Sequence, residues 1–257
     1  MNQEQKLDYL ITSLLQEQAR YEGMGIPDDL NEKKRLFRSL VNVRAAVSVD
    51  AEFLAVQDSY LQQELKESSV AKLSELEEMQ PHLFLWQGDI TKLEVDGIVN
   101  AANNAMLGCF YPCHGCIDNA IHTFAGVQLR LKCHEMMLIQ GHEEETGTAK
   151  ITSAYNLPSR YVLHTVGPII GHQPTQAQQG ELASCYRACF ELADQNNLQS
   201  LAYCCISTGE FRFPNQLAAE IAIRTVNECL KSAKSIKQVV FNVYKDEDRD
   251  IYAKLLR

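Results

Sequence analysis

The 257-residue chain contains no run near the ~18 consecutive apolar residues that a membrane span requires. Its start, MNQEQKLDYLITSLLQEQ, lacks the basic segment and the apolar stretch of a secretory signal. Positive charge is scarce: 24 Lys and Arg stand against 33 Asp and Glu, a net charge of -9. That deficit argues against duplex nucleic acid as a partner, because neutralising phosphates takes clustered Lys and Arg. An anionic ligand would have to be held by local amides and dipoles rather than by the overall field. Internal repeats and low-complexity tracts are missing as well. The nine cysteines are an odd number, and most sit in apolar contexts such as Ala202-Tyr203-Cys204-Cys205-Ile206. They read as buried free thiols in a reducing cytoplasm rather than as a disulfide framework.

What is present is an ordinary globular composition, 46% hydrophobic and 22% charged, long enough for one large domain or a domain with an appendage. Residues 1–82 read as a helical region. Leu7, Leu10, Ile11, Leu14 and Leu15 recur at helical spacing. After the break at Gly23 to Pro27, Asp28 or Asp29 caps a second helix through Leu36, Leu40 and Val41. A third is expected from about Asp50 through Leu54, Tyr60, Leu61 and Leu65 to Leu76. No site residues cluster there, so packing is the expected work of this segment. Pro81 marks a boundary, and residues 83–257 change pattern. Short apolar runs at 83–87, 97–100, 161–164, 200–206 and 239–244 read as strands, and 116–137, 178–196 and 214–233 as helices. Strands alternating with helices predict a layered α/β domain, with ligands at the carboxyl ends of strands.

Three segments carry chemistry. Ile98-Val99-Asn100-Ala101-Ala102-Asn103-Asn104 runs a strand into small residues and amides, although alone it is also a plain strand-to-loop turn. Ile206-Ser207-Thr208-Gly209-Glu210-Phe211-Arg212-Phe213-Pro214 leads a strand through Gly into a helix, where successive backbone N–H groups can cradle phosphate. The third is the densest. Cys109, His114 and Cys116 fall within eight residues as Cys-x4-His-x-Cys, which suits tetrahedral zinc from one loop. Cys113 is left out, since adjacent Cys113 and His114 tend to project apart. Three protein ligands leave one zinc position open; a closed Cys3His site that includes Cys113, or reactive thiols without metal, are the alternatives. Asp118 also fits a helix N-cap, because it opens the run Asn119 to Leu131.

The ordered segments Gly88-Asp89-Ile90-Thr91, 98–104, 115–126, TGTAKIT (146–152), YVLHTVGP (161–168) and ISTGEFRFP (206–214) together resemble the macrodomain family in its MacroD-type branch. The likeness covers about residues 84–257. It implies a three-layer α/β/α macrodomain with a mixed central sheet, preceded here by an N-terminal helical extension. By resemblance, Asp89 contacts the adenine amino group with Ile90 beside it in the ADP-ribose-binding set, Tyr244 stacks on adenine, and Asn100 and Asn103 hold the distal ribose. Ser207, Thr208, Gly209, Glu210 and Phe211 wrap the pyrophosphate, and Phe213 lies near the distal ribose. His164 supports the sheet, and His122 packs inside. Where that branch carries a glycine-only loop, this chain reads GCFYPCHGCIDNAIH (108–122). It thus is similar to a zinc-dependent, microbial, sirtuin-linked subclass marked by GCFxPxHxCIDNxIH, and matches it at every fixed position.

The resemblance implies a zinc-dependent hydrolase that removes mono-ADP-ribose from protein side chains, with Asp118 and Asn100 as its catalytic residues. It also implies a substrate: a lipoylated carrier related to glycine cleavage protein H, modified by a sirtuin-type transferase. A non-catalytic ADP-ribose reader and an O-acetyl-ADP-ribose hydrolase are the competing expectations.

Overall fold

A computed structural model describes residues 1–257. The N-terminal part is three helices, α1 (Gln3–Gln16), α2 (Leu30–Val43) and α3 (Ala51–Glu67). Each has a side-chain cap: Asn2 accepts from Gln5 N–H, Asp29 from Asn31 and Glu32 N–H, and Asp50 from Phe53 N–H. Their apolar stripes bury one another, and Leu7, Leu10, Ile11, Phe37, Leu40 and Tyr60 form a separate small core. The third helix does not reach Leu76 as expected. It stops at Glu67, where Ser68 donates its N–H to Glu64 O and its hydroxyl to Leu65 O. Serine competes with the backbone in this way and weakens helix continuation. Residues 71–80 instead form β1 (Ala71–Lys72) and β2 (Glu78–Gln80), with Leu73, Leu76 and Met79 packed on the larger core.

The rest of the chain alternates strands β3 (Leu83–Gln87), β4 (Leu93–Glu94), β5 (Gly97–Ala102), β6 (Ala149–Ser153), β7 (Tyr161–Val166), β8 (Ser200–Tyr203) and β9 (Gln238–Val243) with helices. The helices are α4 (Ile117–Ala125), α5 (Val127–Gln140), α6 (Gln176–Gln195), α7 (Asn215–Leu230) and α8 (Asp246–Leu255). Seven strands make one mixed sheet in the order β2-β3-β9-β8-β5-β7-β6; β1 pairs with β4 apart from it. The inner pairs are parallel, while β2 on β3 and β6 on β7 are antiparallel at the two edges. Inner strands are covered on both faces: every residue of β8 is buried. The α/β/α layering with a mixed sheet is the expected one.

Local differences have local causes. The expected 116–137 helix is two, broken at Gly126, whose φ of 102° belongs to glycine. A Cβ there would lie 2.6 Å from Gln57 Nε2, so α3 crosses at the break. The strand expected over 200–206 ends at Tyr203, and Cys204 to Ile206 already turn toward the following loop. All parallel strands point their carboxyl ends the same way. The ends of β3, β5, β7, β8 and β9 therefore bring Asp89, Asn100, Gly167, Ser207 and Tyr244 to one edge of the sheet.

Candidate active site

Asn100 lies on buried β5 beside β7, paired in register with His164. Its Nδ2 donates to Asp118 Oδ1 at 2.8 Å and meets His164 Nδ1 at 3.2 Å. His164 Nε2 in turn meets Thr152 Oγ1 at 2.9 Å. An amide N–H can only donate, so His164 accepts at Nδ1 and donates from Nε2 to Thr152. Burial pushes His164 down to about 4 and keeps it neutral, as this arrangement requires. The chain Thr152–His164–Asn100–Asp118 thus fixes the Asn100 amide, and its Oδ1 is buried with no partner in the protein. A buried acceptor without a donor is costly. This one suits a ligand hydroxyl.

Asp118 opens α4 and is itself buried. Cys116, not Asp118, is the cap: its Sγ accepts from Asn119 N–H at 3.4 Å. Asp118 Oδ2 receives Asn103 Nδ2 at 3.4 Å, so two of the three amides of the 98–104 segment, Asn100 and Asn103, reach one carboxylate. Asn103 also donates to Gly108 O at 3.0 Å, which ties the segment to the loop that follows. Desolvation raises the Asp118 carboxyl to about 6, against the opposing pull of the Asn100 hydrogen bond and the Arg130 charge. His122 Nε2 sits 3.5 Å from Asp118, one turn on. Burial holds His122 well below its usual value, so it faces Asp118 as a neutral ring rather than an ion-pair partner.

The loop between β5 and α4 gathers Cys109, His114 and Cys116, whose ligand atoms lie within 4.8 Å of one another. Cys109 Sγ is 3.7 Å from His114 Nδ1, close to the edge of a tetrahedron built on Zn–S of ~2.3 Å and Zn–N of ~2.0 Å. His114 Nε2 faces Glu210 at 3.6 Å, which leaves Nδ1 turned toward the thiols. Carboxylate–histidine pairing of this kind orients metal-bound imidazoles. The donor set fits zinc. Cys113 is not in the group; it has a φ of 54°, and its Sγ is 3.2 Å from Ser39 Oγ on α2.

At the end of β8, Ser207 takes a φ of 64°, and its hydroxyl is buried without a partner. Gly167 crosses it so closely that a Cβ would stand 2.0 Å from Ser207 Oγ. Phe213 N–H returns to Ser207 O at 2.9 Å and Ile170 N–H to Phe211 O at 2.8 Å, closing the 207–213 loop on itself and on the segment after β7. Thr208 Oγ1 donates to Cys205 O, while Gly209 has open space at its Cβ and Glu210 is exposed. Phe213 is fully buried in the main core, whereas Phe211 keeps a partly exposed ring. Asp89 Oδ1 caps the turn at Ile90 by accepting from Thr91 N–H and Oγ1, and Ile90 is buried. Tyr244 is 78% exposed just past β9, free for a flat ligand to stack on.

Four site-facing residues escaped the sequence. Arg38 and Asn42 of α2 reach the Cys/His loop: Arg38 Nη2 donates to His114 O at 2.9 Å and Asn42 Oδ1 accepts from Cys113 N–H at 2.9 Å. Arg130 of α5 caps the Val41 and Arg44 carbonyls at the end of α2, binds Leu107 O at 2.7 Å and stacks on Phe110 at 4.4 Å. Thr152 on β6 orients His164. Two signals were present: Thr152 closes the TGTAKIT segment, though without a role of its own, and Arg130 interrupts the otherwise apolar face of α5.

A Macro domain family model matches residues 99–222. A protein-ADP-ribose hydrolase of Treponema medium is 51% identical over 260 residues, covering 100% of both chains. One from Staphylococcus aureus (strain MRSA252) is 48% identical over 249 residues, 96% of this chain and 93% of its own. Among solved structures, the Trypanosoma brucei macrodomain in complex with ADP-ribose superposes with a TM-score of 0.68 at 28% identity, over 86% of this chain and 95% of its own. The chain belongs to the macro domain family. Within it, this chain is similar along its full length to bacterial proteins named as protein-ADP-ribose hydrolases.

Proposed function

We propose that this protein hydrolyses mono-ADP-ribose from modified protein side chains, releasing free ADP-ribose, and that it does so with zinc. The observation that carries the reading is the Asn100–Asp118 pair, with its unpartnered Asn100 Oδ1, beside the Cys109, His114 and Cys116 group. In this reading, the ligand lies along the carboxyl edge of the sheet. Tyr244 stacks on adenine while Asp89, whose Oδ1 already holds Thr91, accepts from the adenine amine through its other oxygen. Backbone N–H groups of Ser207 to Phe211 hold the pyrophosphate, which needs no net positive charge on the protein. Asn100 and Asn103 orient the distal ribose.

Hydrolysis adds water across the C1″–O bond: hydroxyl joins C1″, and the proton ends on the released side-chain oxygen. Asp118, held by both amides, takes the proton from the attacking water and passes it on. Zinc held by Cys109, His114 and Cys116 would supply a Lewis acid tempered by two thiolates. Asn100 and Asn103 keep Asp118 aimed. The implied substrate is a lipoylated, glycine-cleavage-H-like carrier modified by a sirtuin-type transferase, in a reducing cytoplasm that suits nine free thiols.

Single-turnover release from a mono-ADP-ribosylated carrier, before and after chelation, tests this. Chelation should remove about one zinc per chain and slow release, and Asp118→Ala should slow it ~10²–10⁴-fold with ADP-ribose affinity kept. Binding without release would favour a reader, and faster turnover of O-acetyl-ADP-ribose than of modified protein a metabolite hydrolase.

A further inference from the structure

We infer that helix α2 is part of the metal centre: Arg38 and Asn42 are positioning residues that hold the 109–116 loop in the shape that brings its three ligands together. The inference rests on the zinc reading above. Left to itself the loop has little to fix it. His114 N–H returns to Tyr111 O at 3.2 Å, and Cys113 sits in the left-handed region that a side chain disfavours. The restraint comes from across the chain. Arg38 and Asn42 stand four residues apart, hence on one face of α2. Asn42 is buried; its Oδ1 takes the Cys113 N–H, and its Nδ2 donates to Thr123 Oγ1 of α4 at 2.9 Å. That bond secures the strained residue.

The Arg38 guanidinium reaches two places at once. It donates to the His114 carbonyl, and it grips Asn119 Oδ1 at 2.8 and 3.2 Å. Asn119 Nδ2 then donates to Tyr111 O at 3.0 Å. Loop positions 111, 113 and 114 are therefore all fastened, directly or through Asn119, to one helix face. A rigid fork of donors does this where a lysine would offer a single flexible point. Outer residues that orient ligands of a metal typically govern its affinity by ~10- to 100-fold.

The test measures zinc affinity by chelator competition on the full chain, with ADP-ribose affinity, melting temperature and alkylation rates of Cys109 and Cys116. Arg38→Ala and Asn42→Ala should each weaken zinc by ~10- to 100-fold while ADP-ribose affinity shifts by less than about threefold. Arg38→Lys, which keeps charge and fold, should weaken zinc in the same direction. Lys33→Ala serves as control: it breaks the 2.8 Å pairs from α2 to Glu4 and Asp8 without touching the loop. It should lower the melting temperature and leave zinc affinity alone. Wild-type zinc affinity in both Arg38 variants, or an equal loss in Lys33→Ala, overturns the inference. If the wild-type chain takes up no zinc, the metal reading fails by itself. Metal-free alkylation then decides the clamp: faster reaction of Cys109 and Cys116 in Arg38→Ala upholds it, and unchanged rates refute it.

Discussion

Two Cys/His trios lie close together in this molecule, and within each the possible ligand atoms are all within 4.8 Å of one another. Cys109, His114 and Cys116 sit half-exposed on a loop; His122, Cys133 and His164 are buried between the sheet and α4 and α5. Proximity does not make them equivalent. Both nitrogens of His164 are committed, one to Asn100 and the other to Thr152. Burial pushes the Cys133 thiol up to about 12, with the Asp118 charge adding to the rise. A divalent cation there would meet at most one thiolate, beside the buried Arg130 guanidinium whose charge already depresses His122. Uncompensated charge in such surroundings is expensive. The loop trio instead offers two sulfurs against two positive charges and a histidine ring nitrogen turned inward. Its Cys116 thiol is also raised by burial to about 12, so without a cation it too stays protonated. By charge balance and free lone pairs, rather than by ligand spacing, the loop trio suits a divalent cation and the buried trio suits a polar core.

The largest expected effect breaks or upholds that contrast directly. Cys116→Ser should reduce bound zinc from about one per chain to near none and slow ADP-ribose release along with it. Cys133→Ser should leave the zinc content as it is. Metal analysis of the two purified variants, side by side, is enough. If the Cys133 variant loses its metal while the Cys116 variant keeps it, the roles assigned to the two trios are reversed.

A second measurement sharpens the buried side. The folded His164 is held at about 4, against about 6.5 in an unfolded chain, so between those values the unfolded state binds the extra proton. Stability from this residue is therefore complete above pH 6.5 and lost as pH falls toward 4, by up to about 1.4 kcal/mol per pH unit. His122, depressed further by burial, His164 and Arg130, adds in the same sense. Denaturant melts of wild type and His164→Gln across this window should show a shallower acid slope in the variant. At pH 7.5 the variant should be weaker by about 1–3 kcal/mol, because the Asn100 and Thr152 contacts are disturbed. Parallel slopes would mean that His164 does not titrate as a buried neutral ring.

The parts that were legible in the sequence are those where residue type is dictated locally. Inner strands such as β5 and β7 are covered on both faces, and their largely apolar runs stand out in the sequence at 97–100 and 161–164, with Asn100 and His164 as the polar exceptions. Edge strand β6, AKITS, is half-exposed and carries too short an alternation to stand out. α8 begins with Asp246, Glu247 and Asp248, a favourable first turn but a poor apolar stripe, and it was missed. At the site, the Cys/His loop was visible from the spacing of its ligand types, and Asn100 and Asp118 from segments that resemble the macrodomain family. Arg38 and Asn42 were not. They flank Phe37, Leu40 and Val41 on a helix whose stripe explains its own packing, and nothing near them in sequence shows which loop that helix will meet. The helical region, expected only to pack, supplies contacts to the site through tertiary placement alone.

Cys113 provides the smallest and most discriminating test, because it stands in the ligand loop and yet outside the trio. Its thiol points back to α2, 3.2 Å from Ser39 Oγ and 3.5 Å from the Arg35 carbonyl. Serine can donate to the same carbonyl and keeps the backbone N–H that Asn42 accepts. The left-handed φ is no harder for serine than for cysteine, since both carry one unbranched Cβ. Cys113→Ser should therefore shift stability by less than about 0.5 kcal/mol, as other substitutions outside the named destabilising mechanisms do. Zinc content and ADP-ribose release should match the wild type. A loss of zinc equal to that of Cys116→Ser would mean that the loop rotates Cys113 inward and closes a four-ligand site. The metal would then be structural, no position would remain for water or substrate, and Asp118 would be left to activate water unaided.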